Sequence, residues 1–205
     1  MKRKKLFTIV LDGSLDLSLG IIGAVAISTI TNVEMSWGIL VAGVLGAYAP
    51  DIDGVYHLAW KEWNSETLYK HRSYTHFPTL FLPAIFLLSL SAMFVVNVVN
   101  PLSLALSFTL GSLLHFVHDT FIHGWGIFWF YPFNDKRVVL FQHSIKPGTL
   151  PKILIYPGKH LEAVRAEHFD NEWNAFFKLP PHPWWYAFIA IHLLATTLIV
   201  ETQIS

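Results

Sequence analysis

The chain has 205 residues, of which 53% are hydrophobic and only 14% are charged, so its composition departs from ordinary soluble usage. The 14 basic and 14 acidic residues cancel, which excludes the strongly basic surface typical of nucleic-acid-binding proteins. The sequence contains no cysteine, which excludes disulfides and thiolate metal sites. Any bound metal ion must therefore be held by His, Asp or Glu.

The first apolar run covers residues 17–33 and follows a basic N-terminus, KRKK at residues 2–5. A secretory signal peptide is the alternative interpretation, since Ala24-Val25-Ala26 resembles a cleavage site. However, Asp12 and Asp16 interrupt the part of a signal that would be most apolar, and the hydrophobic run continues beyond residue 26. The pattern favours a retained membrane helix.

The second apolar run, residues 37–50, is short for a full membrane span of about 20 residues. It contains three glycines, Gly38, Gly43 and Gly46, and small residues allow helices to pack closely in a membrane. The second run is therefore predicted to be a helix packed against its neighbours.

Three further apolar runs complete the pattern. The third begins at Pro78 and reaches about residue 99, and the fourth extends from residue 102 into the stretch 111–133. The fifth covers residues 184–200 and starts with the interfacial aromatic residues Trp184, Trp185 and Tyr186. The sequence thus predicts an all-α integral membrane protein with about five transmembrane helices. A soluble helical protein with these runs as buried core helices is the alternative.

Residues 134–183 differ in character from the apolar runs. Short strands are predicted at 137–141 and 153–156, and residues 159–177 mix apolar and charged positions as a surface helix does. We therefore expect three parts: a membrane metal-site domain of four helices (1–133), a small mixed cytoplasmic insertion (134–183) and a C-terminal transmembrane helix (184–205).

The distribution of positive charge predicts the orientation of the helices. With a cytoplasmic N-terminus and five crossings, the inner segments are 1–16, 51–77 and 120–183, and they contain all 14 lysines and arginines of the chain. Short cytoplasmic loops are enriched in Lys and Arg. The chain is therefore predicted to be a multi-pass protein of the inner (plasma) membrane with its N-terminus in the cytoplasm.

The fourth run carries an unusual group of polar residues. His115, His118, Asp119 and His123 lie within nine residues of an otherwise apolar stretch. His115 and Asp119 are four apart, so a helix places both on one face, where an imidazole nitrogen and a carboxylate oxygen can bind the same ion. A lone histidine in such a helix would more often be a buried structural residue. This group predicts a metal-binding helix.

The predicted topology brings other polar residues to the same membrane edge. They are Asp16 at the start of the first helix, Asp51 and Asp53 after the second, and His71, Arg72 and His76 before the third. His71 and His76 are five apart and do not share a helix face, so which of them binds metal stays open. Thr75 is a candidate cap for the third helix, and the Arg72 guanidinium suits a phosphate. The remaining histidines are interpreted as structural or surface residues: His57, His143, His160, His168, His182 and His192.

Taken together, the motifs PDID (50–53), HRSYTH (71–76), HFVHD (115–119) and a Gly followed by YPF (131–133) resemble the YdjM-like membrane-bound metal-dependent hydrolases. The resemblance covers about residues 12–133. Two positions depart from the family pattern. Asp16 stands four residues before Gly20 where a His is usual, and Phe77 replaces a Ser.

That family is similar in turn to the zinc-dependent phospholipases C and single-strand nucleases, which are all-α enzymes with several zinc ions. The resemblance implies that Asp51, His71, His115 and Asp119 hold a principal divalent ion, most simply zinc, with manganese as the alternative. The residues left for a second ion or the surrounding shell are Asp16, Asp53, His76 and His118.

The resemblance further implies cleavage of a phosphoester, plausibly a lipid one, at the cytoplasmic membrane surface. Arg72 would neutralise the phosphoryl charge, and a spare carboxylate such as Asp53 would act as general base. Membrane lipids and a phosphoester are then the expected partners, and nucleic acid is not. Two rival hypotheses are an ion or proton transporter and a metal-stapled membrane scaffold without catalysis.

Overall fold

A computed structural model describes residues 2–53, 75–122, 126–142, 152–158 and 183–202. These residues form five α-helices, a single 3-10 turn and a two-stranded sheet. The elements in chain order are α1 (Lys2–Thr31), α2 (Trp37–Tyr48), the 3-10 turn (Ala49–Asp51), α3 (Pro78–Val95), α4 (Pro101–Ile122), β1 (Lys136–Gln142), β2 (Lys152–Pro157) and α5 (Pro183–Thr202). The prediction of a mostly helical protein with a small sheet is confirmed, while the proposed helix at 159–177 lies outside the described residues.

Three of these helices are long and apolar enough to cross a membrane. The candidate spans are Gly13–Thr31, Pro78–Val95 and Pro101–Phe121, and α5 contributes a shorter apolar stretch, Tyr186–Thr202. With 12 residues, α2 is about 18 Å long, which is less than the ~30 Å hydrocarbon core of a bilayer. The chain is therefore a helical protein of membrane character, and the number of crossings stays a prediction.

The first helix begins much earlier than the apolar run predicts. The run starts at residue 17, yet α1 extends from Lys2 and carries Asp12 and Asp16 within its length. Residues 6–11 are also apolar, but Asp12 and Asp16 interrupt the hydrophobic pattern, and a helix can continue through such charges without a break. Asp16 consequently lies inside α1, near the N-terminal end of the candidate span.

Two helices end earlier than predicted, and the same motif ends both. After α1, Asn32 has φ 51°, its N–H donates to Thr29, and Val33 donates to the Ser28 carbonyl. After α3, Asn97 has φ 54° and the same pair of hydrogen bonds recurs, from Asn97 to Phe94 and from Val98 to Met93. These are Schellman motifs, in which a left-handed Asn satisfies the last carbonyls of a helix. Hydrophobicity continues past both ends, so only the asparagines indicate the stops.

The chain divides into two compact units. The first consists of residues 1–50, 82–115 and 188–205 and contains α1, α2 and most of α4. Its buried apolar cluster draws on α1, α2, the loop between them and α5, and comprises Ile21, Ala24, Val25, Met35, Ile39, Leu40 and Ala195. This unit is therefore a helical bundle with its own apolar core.

Glycines set the spacing of the helices in the first unit. A Cβ built on Gly20 would lie 2.6 Å from the Cα of Val44, and one on Gly111 would lie 2.2 Å from the carbonyl oxygen of Gly43. A Cβ on Gly46 would lie 1.9 Å from the Phe108 carbonyl oxygen. These separations leave no room for any side chain, so α1 and α4 both pack backbone to backbone on α2. The prediction of close packing by the second helix is confirmed at Gly43 and Gly46.

Serine hydroxyls add polar contacts to the same crossing. Ser107 and Ser112 on α4 are fully buried and donate to the carbonyl oxygens of Ile39 (2.9 Å) and Gly46 (2.8 Å) on α2. Such interhelical bonds stabilise helix pairs where no water is present to compete. They fix the register of α4 against α2.

The second unit consists of residues 51–81 and 116–187. Its strands β1 and β2 pair in antiparallel fashion, with Val138 opposite Ile155, and an isolated bridge joins Ile127 to Val138. One face of the sheet is buried through Arg137, Val139 and Tyr156. Both predicted strands agree with the observed ones to within one residue at each end, because they are short apolar segments that Pro and Gly flank.

Candidate metal centre

Helix α4 positions the central polar residues. His115 and Asp119 are each 1% exposed and lie four residues apart, so their side chains leave α4 from one face about one turn apart. His118 is also buried, and its Nδ1 lies 3.9 Å from a carboxylate oxygen of Asp119. Buried ionisable groups on an apolar helix are costly unless they are paired or bind a metal ion.

In the second unit, His76 lies between two carboxylates. Its Nε2 is 3.1 Å from Oδ2 of Asp119 and 3.3 Å from Oδ1 of Asp51. His76 and Asp119 are buried, whereas the Asp51 side chain is 40% exposed. One imidazole nitrogen of His76 thus contacts an oxygen of each carboxylate, and the Asp51 side of this group is partly exposed to solvent.

The other nitrogen of His76 is held by its neighbour in the chain. Oγ1 of Thr75 lies 3.0 Å from Nδ1 of His76. Thr75 does not cap α3 as predicted: the helix starts at Pro78, and the Phe77 carbonyl accepts the first helical bonds from Leu80 and Phe81. The hydroxyl instead orients the imidazole, which is the usual role of groups that surround a metal ligand. Phe77 stands where the family pattern has a Ser, so it has no hydroxyl to offer. In this chain the hydroxyl that contacts His76 is that of Thr75.

Aromatic rings pack around this histidine. The ring of Phe116 is completely buried and meets the His76 ring edge to face, with centroids 5.8 Å apart. Phe81 packs on Phe116 in the same manner at 5.5 Å. Such packing restricts the rotamer of His76 and keeps the surroundings of its ring apolar, which strengthens electrostatic interactions there.

Asp16 pairs with His115 in the first unit. Their Oδ1 and Nδ1 atoms are 3.0 Å apart, and both side chains are buried, although 99 residues separate them in the chain. The predicted place of Asp16, at a second ion or in the surrounding shell, is compatible with this direct contact, since carboxylates commonly accept a hydrogen bond from the second nitrogen of a metal-binding histidine.

These distances fit the coordination of a divalent ion. Ligand atoms about 2.0–2.2 Å from one ion lie about 3.0–3.5 Å from each other in octahedral or tetrahedral geometry. The O···N separations at His76 and at His115 fall in this range. Buried His and Asp groups of the described residues could therefore hold a metal ion. The donor set of imidazole and carboxylate suits zinc and manganese alike.

The remaining predicted residues are placed as follows. Asp53 is half-buried just beyond the 3-10 turn, two residues after Asp51. His71, Arg72 and His123 lie outside the described residues, as do His57, His143, His160, His168 and His182. His192 on α5 is 3.1 Å from the hydroxyl of Ser14 and 2.8 Å from the carbonyl oxygen of Phe188, in agreement with a structural role.

Residues not singled out from the sequence support the site. Trp129 donates from Nε1 to Oγ1 of Thr120 at 2.9 Å, and its carbonyl accepts a hydrogen bond from Thr79. This residue ties the turn after α4 to the first turn of α3, and thereby holds the segments that carry Asp119 and His76. Thr, Trp and Ser are too common in membrane helices for their sequence positions to have predicted these contacts.

The fold and the buried residues define a class: a helical membrane protein whose His and Asp clusters could hold a metal ion. The family model for the YdjM inner membrane protein matches residues 15–202, and the chain belongs to that family. No curated protein and no solved structure matches the chain with significance.

Proposed function

We propose that the protein is a metal-dependent hydrolase of the inner membrane that cleaves a phosphoester. One observation carries the proposal: a buried imidazole, His76, faces the carboxylates of Asp119 and Asp51 at 3.1 and 3.3 Å. A structural His–Asp pair needs only one carboxylate for the imidazole nitrogen. Two carboxylates at one nitrogen require positive charge at that point, supplied either by a protonated imidazole or by a metal ion, and the proposal assigns it to a metal ion.

Each residue has a role in this proposal. Asp51, His76 and Asp119 hold one divalent ion, and Thr75 orients the ring of His76 so that Nε2 is directed at it. The proposal uses His76 in this role, and His71, the other candidate, lies outside the described residues. A bound divalent ion supplies Lewis acidity and lowers the pKa of a water molecule to about 7.

The remaining roles concern the proton and the phosphoryl charge. Asp53, two residues beyond Asp51, is the general base that accepts the proton of the attacking water. Arg72 neutralises the charge that develops on the phosphoryl oxygens. The Asp16–His115 pair, on the same face of α4 as Asp119, provides a further set of ligands.

The substrate is proposed to be a phosphoester at the cytoplasmic membrane surface, with a lipid headgroup as its most direct source. The segments 1–16, 51–77 and 120–183 contain every Lys and Arg, Asp51 and His76 lie in the second of them, and Asp119 directly precedes the third. Since cytoplasmic loops are enriched in positive charge, these residues would face the cytoplasm. Positive charge near the surface also attracts phosphate-bearing headgroups.

Metal content is the first test. The native chain, a His76→Ala variant and an Asp119→Asn variant would be purified in detergent, and their zinc and manganese would be measured by elemental mass spectrometry. We expect about one bound ion or more in the native chain and a clear loss in both variants. His192→Gln is the matched control, because it also removes an imidazole from a helix but should keep its metal.

Catalysis is tested separately from metal binding. The loaded protein would be assayed with bis(4-nitrophenyl) phosphate and with phospholipid vesicles, beside Asp53→Asn. We expect hydrolysis by the native chain and a loss of rate in Asp53→Asn without loss of metal. A metal-loaded chain that cleaves none of a broad set of phosphoesters would favour the metal-stapled scaffold.

A second candidate function is transport of protons or cations. It is favoured by the Asp16–His115 pair, because both residues are buried in candidate spans, Gly13–Thr31 and Pro101–Phe121. Ionisable residues in membrane spans commonly mark ion paths. The test is to measure the flux of protons or divalent cations into proteoliposomes that contain the protein. A flux that Asp16→Asn abolishes and Asp53→Asn leaves unchanged would establish transport instead of hydrolysis.

A further inference from the structure

An apolar surface is exposed on the second unit, outside the candidate metal centre. We name it the hairpin surface, and it consists of Phe130, Phe133, Ile153 and Ile155. Their side chains are 60–87% exposed. Exposed clusters of large apolar side chains mark sites that contact another protein or a membrane.

The two strands that form part of this surface have unequal faces. Arg137, Val139 and Tyr156 lie on the covered face and are 0–7% exposed, while Ile153 and Ile155 on the other face are 60% and 61% exposed. A sheet with one face in water would carry polar residues on that face. The apolar outer face is therefore suited to an environment other than bulk water.

The turn that carries Trp129, Phe130 and Phe133 lies beside the ends of two candidate spans, and this position indicates a lipid environment for its exposed side chains. Trp129 directly precedes Phe130 and hydrogen-bonds to Thr79, in the first turn of one candidate span, and to Thr120, near the end of another. The ends of membrane spans lie at the level of the lipid headgroups. Phe130 and Phe133 are consequently held at that level by hydrogen bonds within their own unit.

The charge of the hairpin agrees with this placement. The strands KRVVLFQ and KILIYP contain three basic residues and no acidic residue, and Lys136 at the start of β1 is exposed. Apolar side chains flanked by lysine are typical of segments that lie in the interface of a membrane with anionic lipids. Exposed apolar side chains beside lysine, next to the ends of two candidate spans, therefore favour a lipid surface over a protein partner.

We propose that the hairpin surface lies in the headgroup region of the same bilayer that the helices cross, as an interfacial anchor for the second unit. The apolar side chains enter the boundary between headgroups and acyl chains, and Lys136 remains among the headgroup phosphates. This inference does not depend on the proposed hydrolase activity, since none of these residues belongs to the ligand sets.

The absence of cysteine from the sequence makes a direct test available. Phe133→Cys and Ile155→Cys would be labelled with a nitroxide and reconstituted in vesicles of phosphatidylethanolamine and phosphatidylglycerol. Accessibility to oxygen, which concentrates in lipid, and to a water-soluble nickel chelate would be measured by electron paramagnetic resonance. A free water-soluble nitroxide in the same buffer is the aqueous reference, and Leu88→Cys, 66% exposed on α3, is the lipid reference.

We expect the ratio of oxygen to nickel accessibility at both test positions to lie between those of the two references. A ratio equal to that of the free nitroxide would overturn the proposal, because the surface would then be in water. Low accessibility to both reagents would also overturn it, since protein would then cover the surface. Ile153→Cys repeats the test should either variant fail to match the thermal stability of the native chain.

Discussion

The hydroxyl of Thr75 lies 3.0 Å from Nδ1 of His76, and this contact determines which nitrogen of the ring faces the two carboxylates. An imidazole can donate from one nitrogen while it offers the lone pair of the other. With Nδ1 hydrogen-bonded to Thr75, Nε2 is left for Asp51, Asp119 and any ion between them. The residue next in the chain thus orients a candidate metal ligand.

The first prediction concerns this hydroxyl. Thr75→Val keeps the shape of the side chain but removes the partner of Nδ1, and we expect a loss of about 10–100-fold in metal affinity. Competition with a chelator of known affinity measures the change. Thr75→Ser should retain most of the affinity, and Thr109→Val, whose hydroxyl bonds only within α4, should leave it unchanged. Equal affinities for Thr75→Val and the native chain would contradict the assigned role.

The second prediction concerns the glycine crossing. A methyl group at Gly111 would lie 2.2 Å from the backbone oxygen of Gly43, which cannot move aside as a side chain can. We expect Gly111→Ala to lower the free energy of unfolding by about 1–3 kcal/mol or more. Gly23→Ala is the control, because its nearest atom is 3.4 Å away in the side chain of Leu114. The two variants are unfolded by titration with a denaturing detergent, and their unfolding midpoints are compared. Similar midpoints for Gly111→Ala and Gly23→Ala would contradict the close packing of α4 on α2.

The third prediction concerns the buried serine on α4. Ser112→Ala removes a 2.8 Å hydrogen bond to the carbonyl of Gly46 and leaves that carbonyl buried. Interhelical bonds of this kind contribute about 0.6 kcal/mol on average and about 1.7 kcal/mol at most. We expect a destabilisation in this range, measured in the same detergent titration. The loss should exceed that of Thr109→Ser, which keeps a hydroxyl within α4.

The fourth prediction concerns the pair Asp16 and His115. Two buried groups 3.0 Å apart should be energetically coupled. In a double-mutant cycle of Asp16→Asn and His115→Gln we expect a coupling of about 0.5–3 kcal/mol in unfolding free energy. The pair Asp16→Asn and His192→Gln is the control cycle, since His192 bonds to Ser14 instead. Additive effects in the first cycle would show that the two side chains do not interact.

Much of the fold could be predicted from local patterns. Apolar runs located the five helices of the described residues, and short apolar segments located both strands. The predicted ends of α1 and α3 are wrong because left-handed asparagines, Asn32 and Asn97, stop helices inside stretches that remain hydrophobic. The predicted start of α1 is wrong because Asp12 and Asp16 interrupt the apolar pattern without ending the helix.

The candidate site was predictable only where it rests on one helix. The i, i+4 spacing of His115 and Asp119 follows from helical geometry alone. The choice between His71 and His76, by contrast, depends on how a loop bends, and the partnership of Asp16 with His115 depends on a helix crossing between residues 99 positions apart. Long-range contacts of this kind leave no periodic pattern in one sequence.

The glycine crossing also limits how the protein can move. Sliding α4 along α2 by one residue would bring Leu110 or Ser112 to the place of Gly111, against backbone that leaves no room for a side chain. Gly20 sets the same limit between α1 and α2. The glycine contacts therefore oppose sliding of these helices along one another, and they protect the Asp16–His115 contact from such a motion.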